Sequence, residues 1–216
     1  MRYILVAVVL VGTILAAGLA EAAAPAPVPF KAGSSWTYRV HTKPAQGVAK
    51  AEMRTITYRG EMKFRGRAYH AFETRTGMAT LERDLMIWTG TAFRRAVVVR
   101  MDGAKTMETV YDKPYATSGV AENLAGRTQN FEEGEATGRG AWSNSVSRST
   151  DVKLTTPAGA FTATRWEGTF ILGHVKQIYT IYTVGPVEVR ADYDIFLKGQ
   201  YQSTVVHELQ KGPVPK

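Results

Sequence analysis

The chain contains no cysteine. Disulfides, thiol catalysis and a lipidated N-terminal cysteine are therefore excluded. The folded part must be held by its core, even in an oxidising compartment. Histidine is scarce: His41, His70, His174 and His207 are the four, and they lie far apart. None has the short spacing that sets two ligands on one metal ion, so no metal site is expected, and nothing implies a cofactor. The chain also lacks a Gly-x-Ser-x-Gly elbow, a Ser-x-x-Lys pair, a His-Glu-x-x-His motif and a phosphate loop. No long apolar run follows residue 20, so no transmembrane segment is expected once the N-terminal run is removed. No convincing helical period appears either.

The N-terminus reads MRYILVAVVLVGTILAAGLAEAAAPAPVPF. Arg2 precedes an apolar run from Tyr3 to Ala20, and small residues follow. This is the layout of a secretory signal peptide over residues 1–22. The alternative is an uncleaved anchor, which the Ala/Gly-rich exit argues against. Cleavage after Ala22 leaves Ala23 first. Cleavage after Ala24 would set Pro25 beside the scissile bond, a poor substrate. Residues 23–30 form a Pro-rich connector. About 190 residues remain after cleavage, enough for one β domain with its own core. That domain is expected over 31–210, with 211–216 as an unpaired tail. The mature protein is expected in the periplasm or outside the cell.

Lys and Arg number 27 against 19 Asp and Glu, a formal net charge of +8. Such a surface favours anionic neighbours, which outside the cytoplasm are lipid head groups, wall polymers or acidic proteins. No basic-aromatic motif suggests nucleic acid. The charges are spread along the chain, as solubilising residues are, with no dense block.

The rest is short runs rich in Thr, Val, Tyr, Phe and Trp between glycine-containing turns. Strands are expected at Trp36 to Val40, Met53 to Met62, Arg67 to Thr76, Leu81 to Trp88, Ala92 to Met101 and Thr106 to Tyr111. Asp102-Gly103 is the strongest two-residue hairpin signal. The pattern weakens from Asp112 to Gly140. There Val120 to Gly126 suggests a short helix, and Phe131 to Gly140 reads either as an exposed strand with its turn or as a loop. Thr156-Pro157-Ala158-Gly159 fits a type I turn closed by a glycine bulge, joining strands on either side. No side chain in it can act as base, nucleophile or ligand, so it only turns the chain. Val187, Val189, Ala191, Tyr193, Ile195 and Leu197 alternate with polar residues, the mark of a half-buried antiparallel strand. A three-residue turn at Lys198-Gly199-Gln200 would pair Tyr193 with Val205 and set His207 opposite Ala191. The fold class expected is all-β: one antiparallel domain, a sandwich or an open or half barrel of about ten to twelve strands.

Three stretches together resemble a known group: Gly33, Trp36 and Tyr38 in "VPFKAGSSWTYRV", Pro157, Gly159, Phe161 and Arg165 in "VKLTTPAGAFTATRWEG", and Tyr182, Gly185 and Val187 before a strand ending in "HEL". Their order is similar to a family of uncharacterised exported bacterial β proteins, a domain of unknown function. That family opens on Gly-x-x-Trp-x-Tyr, continues with a Pro-Ala-Gly-Thr-Phe hairpin and closes on Glu-Leu. Ala160 stands where the family usually has Thr, and Ala45 to Asn144 shows no match. The resemblance implies an antiparallel β domain of the cell envelope and carries over no catalytic residue.

The acidic candidates for acid–base work are Glu82, Asp84, Glu132, Glu133 and Glu135, but sequence alone gives no distance between any two. His207 reads as a core histidine with a hydrogen-bond partner. Met86, Trp88, Phe93, Trp166, Phe170 and Tyr182 sit on expected strands. They are the candidate ligand-binding residues, on the concave side of a curved sheet. Three function classes follow. The first is a non-catalytic carrier of an apolar or amphipathic, lipid-like or anionic envelope molecule. The second is a module that docks on another envelope protein through an edge strand or the basic face. An enzyme of unrecognised type comes third.

Overall fold

A computed structural model describes residues 26–103 and 105–214. The expected leader, the Ala23 start and the chain's last two residues lie outside the described residues. Twelve strands follow one another: β1 (Ser35–Pro44), β2 (Lys50–Phe64), β3 (Arg67–Thr76), β4 (Ala79–Trp88), β5 (Phe93–Asp102), β6 (Lys105–Tyr115), β7 (Glu122–Glu132), β8 (Glu135–Thr156), β9 (Gly159–Leu172), β10 (Val175–Val184), β11 (Val187–Leu197) and β12 (Gln200–Lys211). Each pairs antiparallel with its sequence neighbours, and β1 pairs with β12, so the sheet closes into an up-and-down barrel. The all-β antiparallel domain and its strand number are as expected from the sequence. The closure goes beyond the open barrel or sandwich considered there.

Side chains alternate inward and outward. Trp36, Tyr38 and Val40 of β1 are buried in the interior, and Val40 lies opposite His207 across the seam. Arg39 and Lys43 take the other face, where Arg39 meets Glu208. On β11, Arg190, Asp192 and Asp194 face outward, and the Arg190 guanidinium bonds Asp192 and Glu208. On these two strands the outer face is polar.

Bulges shape the strands. Gly60, with φ 87, follows a register shift in β2. Beyond it the β2–β3 hairpin folds across the outside of the barrel. Its tip places Arg65 Nη2 2.8 Å from Glu108 of β6 and its guanidinium 3.6 Å above the Phe131 ring of β7. Tyr69, Ala71, Leu85, Val97 and Val99 form the small core beneath it. The β8–β9 hairpin also overhangs. Ala158 N donates to the Leu209 carbonyl at 3.2 Å, which pins the Pro157-Ala158 turn against β12.

Several local expectations change. Glu122 to Gly126 is extended in β7, and the suggested helix is absent, because that segment pairs with β8 from Glu122↔Val146 onward. Phe131 to Gly140 is a strand with its turn, closed by Glu133 (φ 50) and Gly134 (φ 85). Asp102 pairs with Lys105, so the β5–β6 turn starts at Gly103, one residue later than read. The β11–β12 turn has two residues, with Leu197 opposite Gln200. A bulge past Phe196↔Tyr201 then restores the expected Tyr193↔Val205 and Ala191↔His207 pairs. Thr156 pairs with Gly159, whose φ is 139, so the Pro-Ala connector is a two-residue turn.

Residues 26–30 and 211–213 pack against one mouth of the barrel. The Phe30 ring lies 4.7 Å from that of Trp36 and 5.8 Å from that of Phe93. Trp88 Nε1 donates to the Ala26 carbonyl. The stretch read as an unpaired tail is tied down instead: Lys211 pairs with Thr37, and Trp36 Nε1 donates to the Pro213 carbonyl at 2.7 Å.

Candidate functional site: the barrel lumen

Eight strands close into an interior that side chains just fill, and diameter grows with strand number. Twelve strands therefore leave space even with an aromatic lining. Two adjoining chambers of about 300 and 360 Å3 occupy it. They share walls at Tyr38, Ile56, Asp84, Arg95, Glu188 and Tyr193.

The first chamber is bounded by aromatic rings. Phe30, Phe72, Phe93 and Met86 line one side, and Tyr111, Tyr115 and Phe170 the other. The Tyr115 and Phe170 rings stack at 5.0 Å, with Trp142 behind Tyr115 at 5.2 Å. Tyr179 O–H donates to Asn144 Oδ1, and Asn144 Nδ2 donates to the Ala116 carbonyl. This buried relay fixes the wall with its polar atoms satisfied. Burial pushes the phenols of Tyr38, Tyr111, Tyr179 and Tyr193 well above their ordinary value, so all four stay protonated donors.

The second chamber is polar. Arg95 Nη2 donates to Asp84 Oδ2 at 3.1 Å, and Nε lies 2.9 Å from Oδ1 as an ion-pair contact that is not aligned as a hydrogen bond. Burial pushes the Asp84 carboxyl above the usual carboxylate range, against the pull of the Arg95 guanidinium. Arg100 Nε meets Glu82 at 2.9 Å, with its side chain 63% exposed, near the β5–β6 turn; this marks the mouth opposite the Phe30 plug. Arg54 also lines this chamber and is held by Glu52. His207 Nδ1 is 3.3 Å from Glu188 Oε1, and Tyr193 O–H reaches Glu188 Oε2 at 3.5 Å. Tyr38 O–H donates to the Glu188 carbonyl at 2.9 Å.

The structure divides the six candidates read from the sequence. Met86, Phe93 and Phe170 line the first chamber. Trp88 and Trp166 line a separate groove at the plugged end with Ala26 and Pro27. Tyr182 lines neither chamber and packs, partly buried, against the core cluster of Val187, Val189 and Leu209. Among the acidic candidates, Glu82 and Asp84 face the lumen, whereas Glu132 pairs with Lys105 on the surface. Sequence reading missed Arg95 and Glu188. Strict alternation put Glu188 outside, but β11 slips register against β10 between Tyr182 and Thr183, and the bulge turns it inward. Arg95 likewise follows a β4–β5 register shift between Leu85 and Met86.

No family model matches this chain, and no curated protein matches it. Two solved structures are similar in fold. One is an inferred exported protein with a YmcC-like fold from Bacteroides fragilis, 16% identical, covering 87% of this chain and 98% of its own, with a TM-score of 0.49. The other is an inferred lipoprotein from Parabacteroides distasonis, 12% identical, covering 83% and 95%, with a TM-score of 0.47.

Proposed function

We propose that this chain is an exported, non-catalytic binding protein that holds an amphipathic molecule in the barrel lumen. The observation that carries the reading is the lumen itself: an aromatic chamber continuous with a polar one, within a barrel whose far end is closed by Phe30. Ligand sites are typically concave, largely apolar and provided with a few convergent polar groups, at ~300–1,000 Å3. The signal-peptide pattern of residues 1–22 supports export, which would leave the mature chain beside a membrane. Docking through an edge strand drops out, because a closed barrel has no free edge. The interior carboxylates Glu82, Asp84 and Glu188 are each engaged by a cation or a histidine.

Eight methylenes taken from water contribute about 6 kcal/mol gross at ~0.8 each. Immobilising the ligand consumes part of that, so micromolar or weaker affinity is expected from the chain alone. The test is native mass spectrometry of the mature protein purified from its own envelope fraction. A lipid-like adduct that leaves on denaturation is expected. An apo mass in every preparation, with no alkyl probe bound on addition, refutes the reading.

A further inference from the structure

We infer that the polar chamber selects an uncharged, hydroxyl-bearing head group, such as the sugar of an alkyl glycoside, over an anionic one. This rests on the carrier reading above and specifies its ligand class. It also reverses what the net charge of the chain suggests.

The reason is local charge balance. The chain is basic overall, but the cations of the lumen are already committed. Arg95 is held by Asp84, Arg100 by Glu82 and Arg54 by Glu52. Glu188 adds a further carboxylate, partnered by His207 and Tyr193. An incoming carboxylate or phosphate has to draw a guanidinium off its partner. That leaves a carboxylate in the lumen without its cation, a costly arrangement in a low-dielectric site. It also meets the carboxylates of Glu82 and Glu188, which line the same chamber.

A hydroxyl needs no such exchange. A guanidinium has five N–H donors, and a carboxylate has about four acceptor sites. Within the Asp84–Arg95 pair only Nη2–H to Oδ2 is a hydrogen bond, Nε and Oδ1 lie in ion-pair contact with no hydrogen-bond partner, and Arg95 Nη1 reaches Tyr115 Oη at 3.5 Å. Arg95 keeps 31% of its side-chain surface accessible and lines both chambers, so that surface faces the lumen. Hydroxyls can accept from the guanidinium and donate to the carboxylate while the pair stays intact. Tyr38 and Tyr193 border the same space, and an aromatic ring suits the C–H face of a sugar. The aromatic chamber next door takes the alkyl chain.

The experiment compares octyl glucoside, octanoate and octyl phosphate on the delipidated mature chain, by calorimetric or tryptophan-fluorescence titration below each probe's micelle concentration. Octyl glucoside is expected to bind at least tenfold more tightly than octanoate, with little dependence on salt. Asp84→Asn frees Arg95 for an anion, so octanoate should gain at least fivefold while the glucoside does not. If Asp84→Asn fails to fold, Glu82→Gln frees Arg100 at the exposed mouth and should shift the same ratio in the same direction. Octanoate or octyl phosphate binding the wild type as tightly as the glucoside overturns the inference, as does an unchanged ratio in a folded variant. Loss of binding for all three probes is a different result: it refutes the carrier reading itself and this inference with it.

Discussion

Replacing Glu73 with glutamine removes a carboxylate lying beneath three guanidinium groups on the outer face of the barrel. Glu73 is only 4% exposed. Arg59 of β2 approaches Oε1 at 2.6 Å, Arg75 of β3 the same oxygen at 2.8 Å, and Arg83 of β4 Oε2 at 2.9 Å. The cluster clamps three strands whose opposite faces line the lumen at Ile56, Phe72 and Asp84. Burial alone would raise the carboxyl, but hydrogen bonds from Arg59 and Arg83 and the charges of Arg59 and Arg75 outweigh it and lower it from 4.5 to about 2. At about 1.4 kcal/mol per pKa unit, the upper figure is about 3 kcal/mol. The arginines are 30–44% exposed, and solvent screening trims this to about 2 kcal/mol. The sign follows from linkage. A carboxyl depressed on folding contributes its full stability above the unfolded value, near 4.5, and loses it as pH falls toward about 2. Urea unfolding of wild type and Glu73→Gln at pH 7 and at pH 2.5 reads this directly. The gap should be about 2 kcal/mol at pH 7 and shrink to less than half at pH 2.5. A gap that is absent at pH 7, or that does not change with pH, refutes the clamp.

Three further outcomes are expected. Gly159→Val forces a β-branched residue to φ 139 and should cost about 1–3 kcal/mol in unfolding free energy, with ligand affinity unchanged; an unaltered midpoint contradicts the turn assignment. Phe30→Ala removes the ring packed on Trp36, Tyr58, Phe72 and Phe93. It should lower stability by about 2–4 kcal/mol and lengthen the longest alkyl chain accepted, so a variant with wild-type stability and chain-length limit argues against the plug. EDTA should leave the thermal midpoint where it is, since no group of three His, Asp or Glu among the described residues is placed to hold a metal; a clear drop on chelation would reveal an ion site.

The strand content was legible because β-branched and aromatic runs between glycine turns are a local signal. β3 spans the same residues in sequence reading and structure. Closure was not legible, because a sandwich and a barrel share the same inward–outward alternation. Only the pairing of Tyr38 with Leu209 and its neighbours, far apart in sequence, separates them. The candidate site was half visible for the same reason. Aromatic residues on strands announce a lining, and Met86, Phe93 and Phe170 lie in one chamber. Trp88 and Trp166 share their composition but sit at the plugged end, which depends on where each strand stops. Glu188 was assigned outward because a bulge leaves no mark in hydrophobic periodicity: Val187 and Val189 flank it in a regular pattern, while the register shift lies in the pairing with β10. The register of β11 with β12 came out right for a different reason than expected, a bulge instead of a longer turn.

The central claim is that the lumen takes up an alkyl chain, and a chain-length series tests it most directly. Hexyl to decyl glucosides are titrated below their micelle concentrations, followed by tryptophan emission, since Trp36 borders the first chamber. Each methylene that enters the chamber contributes about 0.8 kcal/mol, or about fourfold in affinity. The account predicts that rise until the chamber is full and a plateau afterwards. No emission change at any length, confirmed by calorimetry, would contradict it.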